Sequence, residues 1–182
     1  MDFESLAKNE NLERISRIES IKTGSCQKAN LVLVLLGQKP SIGLTVYVDT
    51  EQEIAEEEEK IKGLKLNYKK ISQEEKRGRY VAEFILAKGE DILNELSEVD
   101  PSRDHKKFGS LMGYPMSAIK AFLEGNCLSI EEEKELLKQH PEIVLHDFRL
   151  SKDNNKEEIE TLERWNDLLK KEAPDLYSGL KQ

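Results

Sequence analysis

An imidazole and a phenol stand close together in the stretch Asp104-His105-Lys106-Lys107-Phe108-Gly109-Ser110-Leu111-Met112-Gly113-Tyr114-Pro115. On a helix, His105, Phe108 and Met112 share one stripe, at i, i+3 and i+7. Histidine titrates near neutral pH, so His105 is the candidate general base and Tyr114 the group that would orient a substrate. The same residues also fit a structural role. His105 would then pack partly buried under a corner, and the Tyr114 ring would fill the angle between two helices with its hydroxyl on a carbonyl. Gly113 suits the left-handed conformation that stops a helix, and Pro115 the first turn of the next one. Phe108, Gly113, Tyr114 and Pro115 are therefore the candidate binding residues.

Other reactive side chains lack companions at the spacing chemistry needs. Cys26 lies in Thr23-Gly24-Ser25-Cys26-Gln27-Lys28 and Cys127 follows Gly125-Asn126, yet no histidine is assigned to either as a base. His140, His146 and Asp147 follow no HxxxH or HExxH pattern, so no metal is expected. Glu56 to Glu59 are consecutive and fan out around a helix, which makes a solvated face. The chain has no G-x-G-x-x-G, G-x-x-x-x-G-K-[ST] or G-x-S-x-G pattern. No cofactor is expected.

Composition narrows the partners. Charged residues make up 35% of the 182 residues and the net charge is -8, so generic duplex nucleic-acid binding is not expected. The only basic clusters, Lys62, Lys65 and Lys69 and the group Arg103, Lys106 and Lys107, sit beside acidic runs. No apolar run approaches the ~18–20 residues of a membrane span, and Met-Asp-Phe-Glu-Ser lacks the features of a signal peptide. Two distant cysteines do not suggest a disulfide framework. A cytoplasmic protein with reduced thiols, monomeric or homodimeric, is the expectation.

The elements that must position these residues follow from periodicity. Residues 2–22 read as helix, anchored by Phe3, Leu6, Ala7, Leu12, Ile15, Ile18 and Ile21, with a break near Asn9 to Asn11. Ala29 to Leu36 reads as a central strand apolar on both faces. It is expected to form a hairpin with the alternating strand Ile42 to Val48. Thr50 and Glu53 spell a capping box for a helix over 51–62, which Gly63 ends. A third strand is expected over 64–69, a polar turn over 73–78 and a fourth strand over 79–87. Helices are expected over 90–99, 101–112, 115–124 and 130–139, and a strong amphipathic one over 154–171. Val144, His146, Phe148 and Leu150 alternate as in a possible fifth strand. The fold class is α+β: a four-stranded antiparallel or mixed sheet covered by helices, with a helical C-terminal half. A composition shift near Asp100 suggests a sheet domain over 1–100 and a helical region over 101–182 packed on it, or one continuous domain.

Gly109-Ser110-Leu111-Met112-Gly113-Tyr114-Pro115, continuing to Ala118, Ile119 and Phe122, resembles the G-x-L-[LM]-G-Y-P motif of small prokaryotic proteins without an assigned activity. This resemblance implies an archaeal or bacterial origin more than a reaction. Some members carry cysteines after the proline; Ser117 and Ala118 stand there in this chain, which argues against a thiol-based site. The stretch also resembles a ubiquitin-associated (UBA) three-helix domain. Met112-Gly113-Tyr114 would be its first loop, Pro115 to Leu123 its second helix and Ile130 to Leu137 its third. Ala118 and Ala121 fall one position early for that pattern, and Glu131 to Glu133 make the third helix unusually acidic. The sequence thus points to a non-catalytic binding or regulatory module taking a protein or a small ligand. The alternative is a small enzyme with its site at the 105–115 corner.

Overall fold

The computed structural model describes the backbone over residues 3–181 and side chains from Asn9 onward. The anchors Phe3, Leu6 and Ala7 therefore lie outside the described side chains. The chain divides into two compact units, Met1–Ser97 and Glu98–Gln182.

The first unit opens with helix α1 (Phe3–Glu19), which runs through Asn9 to Asn11 without a break. Ile15 and Ile18 on its inner face are buried, as is Ile21 just beyond it. Next comes helix α2 (Ser25–Leu35), where a strand was expected. Its residues Ala29 to Leu35 are buried on every side. A helix surrounded by protein shows no amphipathic period, so its apolar run reads like that of a buried strand. The last turn closes with Gly37 N donating to Val34 O and Gln38 N to Leu33 O. Behind it Lys39, also buried, donates to Asn30 Oδ1 at 2.8 Å.

With α2 removed from the strand list, the sheet has three strands among the described residues, not four. They are β1 (Ser41–Val48), β2 (Asn67–Lys76) and β3 (Arg79–Ala87), all antiparallel, in the order β1-β3-β2. The expected hairpin between residues 29–36 and β1 is therefore absent, and β1 pairs with β3 in the register Ile42↔Leu86 to Val48↔Tyr80. Alternation along β1 buries Ile42, Leu44, Val46 and Val48, beside Ala82, Phe84 and Leu86 of β3. The outer edge of β1 is partly covered: Tyr47 N donates to Lys22 O, and Thr23 Oγ1 donates to Thr45 O at 2.6 Å. Between β1 and β2 lies helix α3 (Glu51–Lys62). Thr50 Oγ1 accepts from Glu53 N as expected, but the Glu53 carboxylate turns to Asp49 N, so the reciprocal half of the box is missing. Helix α2 packs against β1, α3 against β1 and β3, and α1 against both helices.

Two boundaries and one helix face differ from the sequence reading for local reasons. Gly63 ends α3 as expected, but Lys65 then takes the left-handed conformation (φ 54°), which delays β2 to Asn67. The expected turn over 73–78 shrinks to Arg77-Gly78, both at positive φ. That is the two-residue type I′ turn, whose twist matches the flanking strands. The Glu56–Glu59 face is not wholly solvated: Glu57 is buried and accepts from Lys22 N (2.9 Å) and Lys60 Nζ (2.5 Å). Helix α4 (Glu90–Glu98) follows β3 as expected, with Leu93 and Leu96 buried.

The second unit holds α5 (His105–Leu111), α6 (Met116–Glu124), α7 (Ile130–Leu137), α8 (Asn155–Glu172) and α9 (Pro174–Gly179). α5 starts later than expected because Asp104 caps it, accepting from Lys107 N at 3.0 Å. Residues 100–103 form a separate turn in which Ser102 N and Oγ both donate to Asp100, holding that carboxyl below its usual range. α7 has the complete capping box expected of Ser129 and Glu132. The possible fifth strand, residues 143–150, is not a strand: a bend falls at Phe148, and only Ser151 just beyond it forms an isolated antiparallel bridge, with Cys127. Asn166 of α8 takes its backbone groups instead: Oδ1 accepts from Val144 N and Leu145 N, and Nδ2 donates to Leu145 O. Among the described residues, no helix is long and apolar enough to cross a membrane.

Candidate functional site

The corner between α5 and α6 is built on Gly113. Its φ is +77°, in the left-handed region where a Cβ is strained. Gly113 N donates to Ser110 O (3.1 Å) and Tyr114 N to Gly109 O (3.0 Å). This is the paired closure of the Schellman motif, which uses up two orphan carbonyls of α5. Pro115 stands one residue earlier than expected, at the N-cap of α6 rather than in its first turn. Gly113→Val should cost about 1–3 kcal/mol, the range for a residue forced into a sparsely populated backbone region. Urea denaturation measures this, and an unchanged midpoint would mean that the corner tolerates a β-branched residue.

Beside the corner lies a cleft of about 270 Å³. His105, Phe108, Gly109 and Tyr114 line one side, and Ile119 and Phe122 of α6 another. The segment before α8 supplies Asp147, Phe148 and Arg149. Three of the predicted residues, His105, Phe108 and Tyr114, thus meet at one cavity. Gly113 and Pro115 shape the chain path but are not among its lining residues. His105 is exposed, not tucked under the corner, and its ring meets Phe122 edge-on at 5.3 Å.

Tyr114 is half-buried, and its ring lies 5.9 Å from that of Phe148. The Asp147 carboxylate acts on its hydroxyl by charge and hydrogen bond. Burial first, then the charge and hydrogen bond of Asp147, push the phenol well above its ordinary pKa. Tyr114 is thus a hydrogen-bond donor over the whole neutral range and not a base. The folded unit holds this proton more tightly than the unfolded chain. The associated stability is complete below about pH 10, the ordinary tyrosine value, and declines as pH rises beyond it. In an alkaline ultraviolet titration the latest tyrosine component should vanish in Tyr114→Phe. Ionisation of all tyrosines together near pH 10 would refute the assignment.

At the polar end Arg149 is committed to structure. Its Nε donates to Glu133 Oε2 at 3.0 Å and its Nη2 to Leu128 O. Glu133, buried on α7, also accepts from Leu150 N, and His146 Nε2 lies 3.7 Å from its Oε1. Burial raises the Cys127 thiol, which disfavours the reactive thiolate. Cys26 is exposed at the start of α2, in the other unit.

Sequence reasoning missed the far wall of the cleft. Phe148 carried a signal in the alternation of residues 144–150, whereas Asp147 and Arg149 carried none. It also missed the meeting of His140 and Glu142 with Glu163, which sits on α8. No known protein family, no curated protein and no solved structure matches the chain.

Proposed function

We propose that the chain is a non-catalytic binding module of the cytoplasm, monomeric or homodimeric, that takes an apolar group of a protein or small-molecule partner in the cleft at the α5–α6 corner. The observation that carries this reading is the lining itself: Phe108, Tyr114, Ile119, Phe122 and Phe148, with Asp147 at the polar end. Few polar groups amid apolar walls is the usual make-up of a small-ligand pocket. The surface around it supports a protein partner, because Met116, Phe122 and Leu123 of α6 are 58%, 53% and 49% exposed. The high Tyr114 pKa and its tie to Asp147 favour recognition over proton abstraction.

Nuclear magnetic resonance titration of labelled protein with indole, phenol and cyclohexanol tests the reading. Resonances of Phe108, Tyr114, Ile119 and Phe122 should shift saturably. Ala118→Phe, which puts a ring into the cleft, should abolish the shifts. Absence of shifts, or shifts centred elsewhere, would refute it. One observation favours the enzyme reading: His105 and Tyr114 border the same cleft. That reading gains ground if turnover of any substrate is found and His105→Gln removes it.

Duplex DNA is not an expected partner. Of the basic residues at 62–69, Lys62 pairs with Glu59 and Lys65 with Glu10. Backbone recognition needs several unspent cations on one face. Fluorescence anisotropy with a mixed-sequence duplex at ~150 mM salt should show no binding; a micromolar affinity would overturn the expectation.

A further inference from the structure

His140, Glu142 and Glu163 bring an imidazole nitrogen and two carboxylate oxygens together, all within 4.8 Å of one another. His140 Nδ1 lies 2.8 Å from Glu163 Oε1 and 3.6 Å from Glu142 Oε1. We propose that these three side chains form a binding site for a first-row divalent metal ion of the zinc type.

The donor set fits such an ion. A tetrahedral shell with bonds of about 2.0–2.1 Å places neighbouring donor atoms roughly 3.3 Å apart. The two distances from His140 Nδ1 bracket that separation. One imidazole and two carboxylates suit zinc and its first-row relatives better than magnesium, which prefers oxygen and keeps its waters. The ion would displace the Nδ1 proton that now bonds Glu163, to Nε2 or to solvent, and the resulting neutral imidazole with two carboxylates matches a doubly charged cation. Lys138, the nearest lysine in sequence, is already paired with Glu135. Three protein ligands leave a fourth position open to water or an incoming ligand.

The scaffold holds the three groups in place before any ion arrives. Pro141 restricts the backbone between His140 and Glu142. Ile143 N donates to His140 O at 3.0 Å, closing the turn. The buried Tyr177 donates its hydroxyl to Glu142 O at 2.8 Å. Glu163 comes from α8, one turn before Asn166, and Asn166 grips Val144 and Leu145 just after the turn. The loop and the helix are thus fixed to each other beside the site. All three side chains remain partly exposed, with accessibilities of 28%, 41% and 35%, so an ion has a path in.

Isothermal titration of the full chain with Zn2+, and visible absorption with Co2+ as a spectroscopic substitute, test the proposal. One ion per chain should bind saturably, Co2+ should develop a d–d band displaced by Zn2+, and Mg2+ should not compete. His140→Ala and Glu163→Gln should each weaken binding about tenfold or more, while His105→Ala and His146→Ala leave it unchanged. If His140→Ala does not fold, Glu142→Gln replaces it in the comparison. No saturable binding, or binding that the site variants leave intact, would overturn the proposal.

Discussion

Asn166→Leu is expected to destabilise the second unit by about 3 kcal/mol, although leucine matches the apolar stripe around it. Asn166 is 1% exposed and uses both ends of its amide. Oδ1 accepts from Val144 N and Leu145 N, each at 2.9 Å. Nδ2 donates to Leu145 O at 3.1 Å and to Leu162 O at 2.8 Å. Leucine leaves two backbone N–H groups and one carbonyl of the 144–145 segment without partners. Each buried orphan costs about 1–3 kcal/mol, and a loss of about 3 kcal/mol lies near the low end of their sum. The chain has a single tryptophan, Trp165, the residue just before Asn166, so its fluorescence reports denaturation at the right place. A loss below about 0.5 kcal/mol, the size of an ordinary surface substitution, would mean that the segment finds other partners.

Trp165→Ala is expected to cost about 3–5 kcal/mol, the range for emptying a large buried aromatic site. Trp165 is 2% exposed and meets Phe148 edge-on, with ring centroids 5.9 Å apart and planes at 89°. Phe148 in turn leans on Tyr114. Three rings therefore run in series from the core of the unit to the wall of the corner cleft. Removing the innermost leaves Phe148 without its backing, so fragment shifts at Tyr114 and Ile119 should weaken in the same variant. Trp165→Phe keeps part of the contact and should lose less on both readouts. Circular dichroism during urea denaturation gives the stability term. An Ala variant with wild-type stability, or with unaltered cleft binding, would separate the cleft from this stack.

These two residues also mark where the sequence was legible and where it was not. Trp165 stood out, on one stripe with Ile159, Leu162 and Leu169. Asn166 lies on the same buried side of α8 but reads as an ordinary polar residue, because its partners are backbone groups about twenty positions away. Those partners bear on the 143–150 segment as well: it has strand-like alternation, but the Asn166 side chain takes the backbone groups of Val144 and Leu145 that a neighbouring strand would use. Helix α2 was misread for a different reason. Leu31-Val32-Leu33-Val34-Leu35-Leu36 has neither a period of two nor of 3.6, and burial on all sides removes the pattern that separates helix from strand. The corner was the best specified feature, since Gly113 at positive φ follows from chemistry confined to a few residues. The cleft needed Phe148 to be brought to Tyr114 across thirty-four positions of chain, and no local rule supplies that.

The strand order β1-β3-β2 carries a consequence for how the protein is made. The strand at the centre of the sheet is the last of the three to leave the ribosome. While β3 is still unsynthesised, β1 has no partner on its inner side, and α2 packs on a strand that has no sheet. During that interval a six-residue apolar, β-prone run is exposed in the nascent chain. At about 5–20 residues per second, the roughly forty residues between β1 and the end of β3 take a few seconds to emerge. Slower elongation across Asp49 to Arg79 should therefore prolong exposure of the α2 segment and raise aggregation of newly made chains, with no change in the stability of the finished protein.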